Sequence, residues 1–113
     1  MKIIHYKDID AAPVTVQGAE KVTIRWLIAA EDGAPGFAMR LFEIQPEGHT
    51  PLHIHDSEHE VFILAGTGTV WKEGEEAPVG PGTAIFVPSG EKHCFFNRGK
   101  DVLRFLCMVP VEQ

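Results

Sequence analysis

Three histidines and three acidic residues lie within one twelve-residue segment, PLHIHDSEHEVF. His53 and His55 are two residues apart, so on an extended strand both side chains leave the same face and can share one ion. His59 keeps this parity if the chain stays extended, and Glu58 and Glu60 then point the other way, whereas a bulge would reverse the assignment. The segment is thus compatible with a metal site, with general acid–base chemistry or with a solvated polar turn.

A fourth histidine, His93, lies far along the chain in PSGEKHCFFN, directly after a Pro/Gly turn that can aim its side chain. A metal site built on strands needs a ligand from a second strand, and His93 is the well-placed candidate. Four of the six histidines fall into these two segments, and this count favours a metal site over a polar turn. We expect His5 at the surface and His49 at the rim of the site.

The remaining sequence predicts the strands that would position these histidines. Short apolar segments, rich in aromatic and β-branched residues, recur between Gly and Pro turn signals. They are KVTIRWLIAA, GFAMRLFEIQ, HEVFILAG, GTVWKEG, GTAIFVPSG, KHCFFN and VLRFLCMVP. No stretch sustains a helical apolar stripe over three turns, so we expect no substantial helix. Several segments are apolar on both faces, which predicts either two stacked sheets or a covering partner subunit.

Length and composition restrict the function classes. The 113 residues fit one domain, over residues 1–113, and 44% hydrophobic against 23% charged residues is typical of a folded protein. The net charge of -6 and the lack of a basic run argue against nucleic acid as a partner. No signal-peptide core or membrane-length apolar run occurs, so we expect a cytoplasmic protein without membrane contact, whose Cys94 and Cys107 stay reduced.

The residues around His93 resemble the second sequence motif of the cupin superfamily. That motif asks for Gly, five residues, Pro, any residue, Gly, two residues, His, three residues and Asn. Gly82, Pro88, Gly90, His93 and Asn97 match every fixed position and every spacing. Gly90 and Asn97 are expected to be structural, since the glycine permits a turn and the asparagine can bind local backbone.

The first cupin motif is matched in part and with one informative departure. His53, His55 and Gly66 match, whereas Gly48 lies one residue too close to the histidines. The position of the motif's glutamate, counted forward from His55 or backward from Gly66, falls on His59; Glu60 fits only the looser forward spacing. The substitution resembles a minority branch of small cupins with four histidine ligands. On that likeness the metal ligands are His53, His55, His59 and His93.

The resemblance implies an all-β double-stranded β-helix, that is, a jelly-roll barrel of one domain with a metal ion inside. The conserved barrel would span residues about 37–110. The N-terminal strands, within residues 1–30, are too apolar for an exposed edge, so we expect them in the contact of a homodimer.

Four imidazoles would hold one divalent transition metal ion: Mn, Fe, Ni, Co, Cu or Zn, with Mn or Fe favoured. Neutral ligands leave the charge of the ion uncompensated, so the site should prefer anionic groups. An octahedral ion would keep two positions for a bidentate substrate, or for substrate and dioxygen.

These properties predict a metal-dependent oxidoreductase of the dioxygenase type, acting on a small organic substrate that chelates the metal. A metal-dependent isomerase or lyase, which uses the ion as a Lewis acid, is the second interpretation. A non-catalytic cupin that binds a small molecule or metal is the third.

Other residues are candidates for the pocket. Cys107 and Glu60 are weak candidates for catalysis, Glu60 only if a bulge turns it inward. The pocket lining is predicted to include Met39, Phe95, Phe105 and Cys107, where strand parity with Arg104 turns Phe105 and Cys107 inward. Arg25 and Arg40 could grip a substrate carboxylate or lie on an outer face.

Overall fold

The computed structural model describes residues 1–111, and strands dominate it. Two single-turn 3-10 helices, Tyr6–Asp8 and Ala30–Asp32, lie before and after the second strand. Nine strands make up the regular structure of the described residues: β1 Ala12–Pro13, β2 Glu20–Ile28, β3 Phe37–His49, β4 His59–Ala65, β5 Gly68–Lys72, β6 Glu75–Val79, β7 Ala84–Val87, β8 His93–Phe96 and β9 Leu103–Pro110. The all-β expectation is confirmed.

All strand pairs are antiparallel and form one curled sheet in the order β6-β5-β8-β3-β9-β4-β7, with β2 and β1 continuing from β3. Neighbours in this order are distant in sequence, as in β8-β3 and β3-β9, so the connections cross over. Antiparallel crossovers of this kind, in a sheet that curls upon itself, produce a jelly-roll barrel.

Strand β3 connects the two halves of the barrel. Its first part, residues 37–44, pairs with β9, and its last residue, His49, pairs with Phe96 of β8. The chain changes partners at Gly48, where a Cβ atom would lie 2.6 Å from the backbone oxygen of Glu20. Only glycine allows this close approach, so Gly48 serves the bend of β3.

The core lies inside the barrel and follows strand parity. In β4 the residues His59, Val61 and Ile63 are buried, whereas their neighbours alternate outward. In β9 the residues Phe105 and Cys107 are buried at 2% and 4% exposure, in agreement with the parity expected from the sequence. His59, at the start of β4, therefore shares the inward face of this strand with the core residues Val61 and Ile63.

The seven predicted strand segments correspond to β2, β3, β4, β5, β7, β8 and β9. Two strands were not predicted. Strand β6, with sequence EEAPV, pairs with β5 although it begins with two glutamates and contains Pro78. Strand β1 has only two residues. Both lie at sheet edges, where charged residues and proline are tolerated, so the apolar pattern that marks interior strands is missing.

The outer surface keeps several apolar side chains. Phe62 and Leu64 of β4 and Phe86 of β7 are exposed on the outside of the barrel. Strand β2, in contrast, is paired with β3 and partly with β1, so its apolar residues do not form a bare edge. Homodimer formation stays a prediction. Among residues 1–111, no helix has the length and apolar character needed to cross a membrane.

Candidate metal centre

Three histidines converge at one end of the barrel. Ligand nitrogens of His55, His59 and His93 all lie within 4.8 Å of one another. His59 is the first residue of β4 and His93 the first residue of β8, and each is only 7% exposed. His55 lies in the loop before β4 and is half-buried. The start of β4 and the loop just before it thus meet the start of β8, more than 30 residues further along the chain, in one ligand cluster, here called the histidine group.

Backbone hydrogen bonds hold this arrangement together. His53 and His93 form an isolated antiparallel bridge, with N–H to carbonyl distances of 3.2 and 3.1 Å. The N–H of Gly90 donates to the carbonyl of His55 at 2.8 Å, and Gly90 adopts a φ of 83° that favours glycine. The hydroxyl of Ser89 donates to the carbonyl of Asp56 at 2.6 Å. The loop that carries His55 is therefore fixed against the turn that precedes His93.

The structure places His53 beside the histidine group rather than within it. Its ring centroid is 5.6 Å from that of His55, and its side chain is exposed. The cluster of ligand atoms found among residues 1–111 includes three of the four predicted histidines. His53 contributes its backbone to the bridge with His93 and its side chain to the mouth of the site.

The hydrogen bonds of the imidazole rings suit a metal site. Nδ1 of His93 lies 3.0 Å from the carbonyl oxygen of Glu91, and because a carbonyl only accepts, Nδ1 must carry the proton. The lone pair of Nε2 is then free for an ion, as in most histidine ligands. Nδ1 of His59 faces Sγ of Cys107 at 3.6 Å, so Nε2 is the ring nitrogen that is not in contact with this sulfur. The donor set fits a divalent transition metal ion.

The electrostatic surroundings keep the rings of His55 and His59 neutral. Burial, and then the charges of His55 and Arg40, lower the pKa of His59 to about 4. Burial and the charge of His93 also lower the pKa of His55. An imidazole must lose its proton before it can bind a metal, so ligands that are neutral near pH 7 bind without competition from protons.

Cys107 and Arg40 form a second layer behind His59. Nη2 of Arg40 donates to Sγ of Cys107 at 3.0 Å, and the same sulfur contacts His59. Burial raises the pKa of the Cys107 thiol, against a smaller opposite effect of Arg40, so the thiol stays protonated at neutral pH. Cys107 therefore packs against a ligand as a neutral group rather than as a thiolate nucleophile.

Two cavities are lined in part by the histidine group. The larger, of about 1110 Å³, is lined by residues 29–32, 54–57 and 109–111 among others. The smaller, of about 400 Å³, is lined by residues 13–16 and by apolar barrel side chains. Both cavities share Arg40, His55 and His59 in their walls. The histidines thus lie where two spaces of ligand size meet.

The predicted pocket residues are distributed unevenly. Phe95, Phe105 and Cys107 line the smaller cavity. Met39 differs from the expectation, because the cavity-facing positions of β3 are the alternate residues Ala38, Arg40 and Phe42, and Met39 lines neither cavity.

The acidic candidates lie away from the histidines. Glu58 and Glu60 are exposed, and Glu60 lies between the inward residues His59 and Val61 of β4, so no bulge turns it inward. The structure therefore brings neither carboxylate into the histidine group. His5 is exposed, as expected, and His49 stacks on Phe96 outside the group.

Arg40 is the cavity residue that sequence reasoning left undecided. Arg40 lies on the same face of β3 as Ala38 and Phe42, which also line the cavities. Strand alternation could have placed Arg40 in the pocket, but only if the inward face of β3 had been known from the sequence. Arg25, the other candidate, faces outward and forms an ion pair with Glu43 at 3.2 Å. The two arginines therefore have different roles.

Comparison with known proteins connects this geometry to a family. Residues 40–109 match the family model described as "Cupin domain". This range contains all three members of the histidine group and most of the barrel, including the six strands from β4 to β9 almost in full.

Relatives with described activities extend over most of the chain. The solved structure of the polyketide cyclase RemF from Streptomyces resistomycificus has a TM-score of 0.94 and 41% identity, and covers 99% of this chain and 80% of that chain. The 1-methylthio-D-xylulose 5-phosphate methylsulfurylase of Rhodospirillum rubrum is 30% identical over 111 residues, 98% of this chain and 67% of the relative. An oxalate-binding protein of Thermotoga maritima is 35% identical over 74 residues, 62% of this chain and 61% of the relative.

Proposed function

This chain belongs to the cupin domain family, and from that premise we propose that it is a metal-dependent cyclase, which closes a ring in a small substrate with several carbonyl groups. The observation that carries the proposal is the histidine group at the meeting point of two cavities. The likeness to a polyketide cyclase, at 41% identity over 99% of the chain, supports the choice of reaction.

In this proposal His55, His59 and His93 hold one divalent transition metal ion, and His53 is the fourth ligand. When bound, the ion supplies Lewis acidity to a pair of neighbouring carbonyl oxygens, which lowers the pKa of the C–H group between them. The neutral rings of His55 and His59 leave the positive charge of the ion undiminished, which favours anionic oxygen ligands. Because His53 is exposed and lies outside the cluster of ligand nitrogens, it would contribute least to holding the ion.

The walls of the smaller cavity would hold the reacting chain in a folded conformation. Phe42, Phe95 and Phe105 form an aromatic surface, in which Phe105 lies 5.4 Å from Phe42 and 4.7 Å from Phe95 between ring centroids. Flat aromatic faces suit a conjugated or aromatising substrate and exclude water from it. The chain's contribution is therefore to orient two carbonyl groups of one molecule so that they react with each other.

The proposed reaction balances without a redox partner. A carbon between two carbonyls loses a proton to water, and its electron pair forms a C–C bond to a third carbonyl carbon of the same substrate. The oxygen of that carbonyl gains a proton, and loss of water then forms the ring double bond. No oxidant is consumed, which separates this reaction from the dioxygenase predicted from the sequence.

The test uses a linear ester with three ketone groups, at positions 3, 5 and 7, as the probe. The purified, metal-loaded protein is the catalyst. Cyclised product is measured by liquid chromatography and mass spectrometry, with and without dioxygen. We expect turnover in both atmospheres, loss of turnover in His93→Ala, and unchanged turnover in the matched control His5→Ala, whose histidine is exposed and remote. Turnover that requires dioxygen and consumes it would favour the dioxygenase instead.

A second function is favoured by the relative from Thermotoga maritima, whose name describes binding of oxalate. A non-catalytic cupin of that kind would use the same histidine group to hold a small chelating dicarboxylate. Calorimetric titration with oxalate distinguishes the two, since tight binding together with no cyclised product from the fully metal-loaded protein would support the binding function and overturn the cyclase.

A further inference from the structure

Arg40 presents a positive charge at the meeting point of the two cavities. It lies in the middle of β3, where it pairs with Trp26 of β2 and Cys107 of β9. Its guanidinium is stacked over two aromatic rings, 5.5 Å from the centroid of Trp26 and 5.0 Å from that of Phe42. Stacking between aromatic rings fixes the orientation of the planar guanidinium without using its hydrogen-bond donors.

The charge of Arg40 has no carboxylate partner among residues 1–111. The ion pairs of the other arginines use Glu43, for Arg25 and Arg104, and Glu76, for Arg98. Arg40 instead donates to the sulfur of Cys107, which is a weak neutral acceptor, and its buried Nε has no hydrogen-bond partner. A half-buried cation without a counter-charge is costly, so its place in the wall of a cavity points to an anionic ligand.

We propose that Arg40 binds an ionised oxygen group of the substrate, a carboxylate or an acidic enol, and positions that substrate against the histidine group. The inference rests on the proposed function for the identity of the substrate, though not for the existence of the anion site. A guanidinium offers two parallel N–H donors that match a planar pair of oxygens.

The position of Arg40 also explains how the anion would be oriented. A chain of contacts runs from Nη2 of Arg40 to Sγ of Cys107 at 3.0 Å and on to Nδ1 of His59 at 3.6 Å. Arg40 and His59 therefore lie on either side of one sulfur atom, and a substrate of a few carbon atoms can contact both. Because Arg40 lines both cavities, it can hold the centre of a longer ligand whose ends occupy the two spaces.

The experiment compares two probes that differ in charge and little in shape, salicylate and the neutral salicylamide. Binding of each to the metal-loaded protein and to the metal-free protein is measured by calorimetry. For wild type we expect salicylate to bind at least about tenfold more tightly than salicylamide in both forms, as a charge-assisted hydrogen bond predicts. In Arg40→Gln that preference should disappear from the metal-free protein, while salicylamide affinity and metal content stay unchanged.

Two further variants separate a binding role from a structural one. Arg40→Lys keeps the charge and should keep part of the preference, whereas Arg98→Gln removes an arginine that stacks on Phe96 outside the cavities and should change nothing. Equal salicylate affinity in wild type and Arg40→Gln would overturn the inference, and so would a parallel loss of both probes. Lack of cyclase turnover with the charge preference intact would reject the proposed reaction and leave the anion site standing.

Discussion

Charged side chains on the two faces of β3 differ in whether they form ion pairs. On the outer face, Glu43 accepts ion pairs from Arg25 at 3.2 Å and Arg104 at 2.9 Å. On the cavity face, three residues earlier, Arg40 donates to a thiol and lies over two aromatic rings, and it forms no ion pair among residues 1–111. The same strand therefore neutralises charge where it stabilises the sheet and leaves charge uncompensated where a ligand can bind.

Residues that stabilise the barrel and residues that could bind a ligand thus lie on different faces of the same strand. The outer ion pairs also fix the N-terminal segment, because Arg25 donates to the carbonyls of Tyr6 and Ile9 at 3.0 Å each. The cavity face instead collects three imidazoles and a guanidinium, all cationic or able to become so, and among residues 1–111 none of them forms an ion pair with a carboxylate, although Asp56 lies near His55 in the wall of the larger cavity. Substitutions on the two faces should consequently affect different measurements.

The largest effect is expected on metal binding by the cavity face. His93→Ala removes a buried ligand and should lower the affinity for Zn²⁺ or Mn²⁺ at least about a hundredfold, since loss of even an outer partner of a ligand costs ten- to hundredfold. Competition with a chromophoric chelator measures the affinity. His5→Ala is the matched control, and equal metal affinity in His93→Ala and wild type would contradict the site.

The same assay ranks the contributions of the other candidate ligands to metal affinity. His53→Ala should lose less affinity than His93→Ala, because His53 is exposed and lies outside the cluster of ligand nitrogens. Glu60→Gln should bind metal like wild type. Loss of metal in Glu60→Gln with retention in His59→Ala would refute the assignment of His59.

The second effect concerns acid stability of the metal-free protein. His59 has a pKa of about 4 in the folded chain against an ordinary value of 6.5, so between these values the unfolded chain binds more protons. Stability should therefore fall as the pH falls through this window, with a slope from His59 of up to about 1.4 kcal/mol per pH unit. Urea denaturation at several pH values measures the slope, and His59→Gln should flatten it.

Outer ion pairs should respond in a different pH range. The hydrogen bond from Arg98 lowers the pKa of Glu76 below its ordinary 4.5, so the stabilisation by this pair is complete above that value and is lost only at lower pH. An Arg98→Gln variant should hence keep the wild-type slope between pH 6.5 and 4.5. A part of the slope should remain in His59→Gln, because burial also lowers the pKa of His55 below 6.5; an undiminished slope would contradict the assignment to His59.

The smallest effect is expected from the outer face of β3. Glu43→Gln leaves Arg25 and Arg104 without a counter-charge and should lower the free energy of unfolding by about 1–2 kcal/mol, as expected for a partly buried ion-pair network. Metal affinity should stay as in wild type. Glu58→Gln, at an exposed carboxylate, serves as the control and should leave both values unchanged. A drop in metal affinity of Glu43→Gln would break the separation of the two faces.

Much of the fold could be predicted because strand parity and turn residues are local signals. The motif spacing from His55 and Gly66 assigned His59 to the site, and the turn before KHCFFN indicated that it aims His93; the structure places each at the start of a strand. The spacing of the histidines correctly indicated a cluster, which contains His55, His59 and His93. These features depend on neighbours in sequence and need no knowledge of strand order.

The rest depended on contacts between distant segments. His53 pairs with His93 through its backbone, a contact between segments 40 residues apart, and its side chain is exposed. The cavity position of Arg40 follows from the strand order around β3, and the sequence left inward and outward equally open. Met39 was expected in the pocket for its size, but the register of β3 gives the inward positions to its neighbours.

Apart from the shared Arg40, His55 and His59, the two cavities draw their walls from different residues. Residues 13–16 line the smaller space, and residues 29–32 and 109–111 line the larger, while the histidines come from neither. Each end of a bound molecule would therefore contact its own stretch of chain. We expect that such a stretch can be replaced without moving the metal ligands. The ligand specificity of the two cavities can therefore change independently. Replacing one short segment with that of a relative should alter the specificity of one cavity and leave that of the other unchanged.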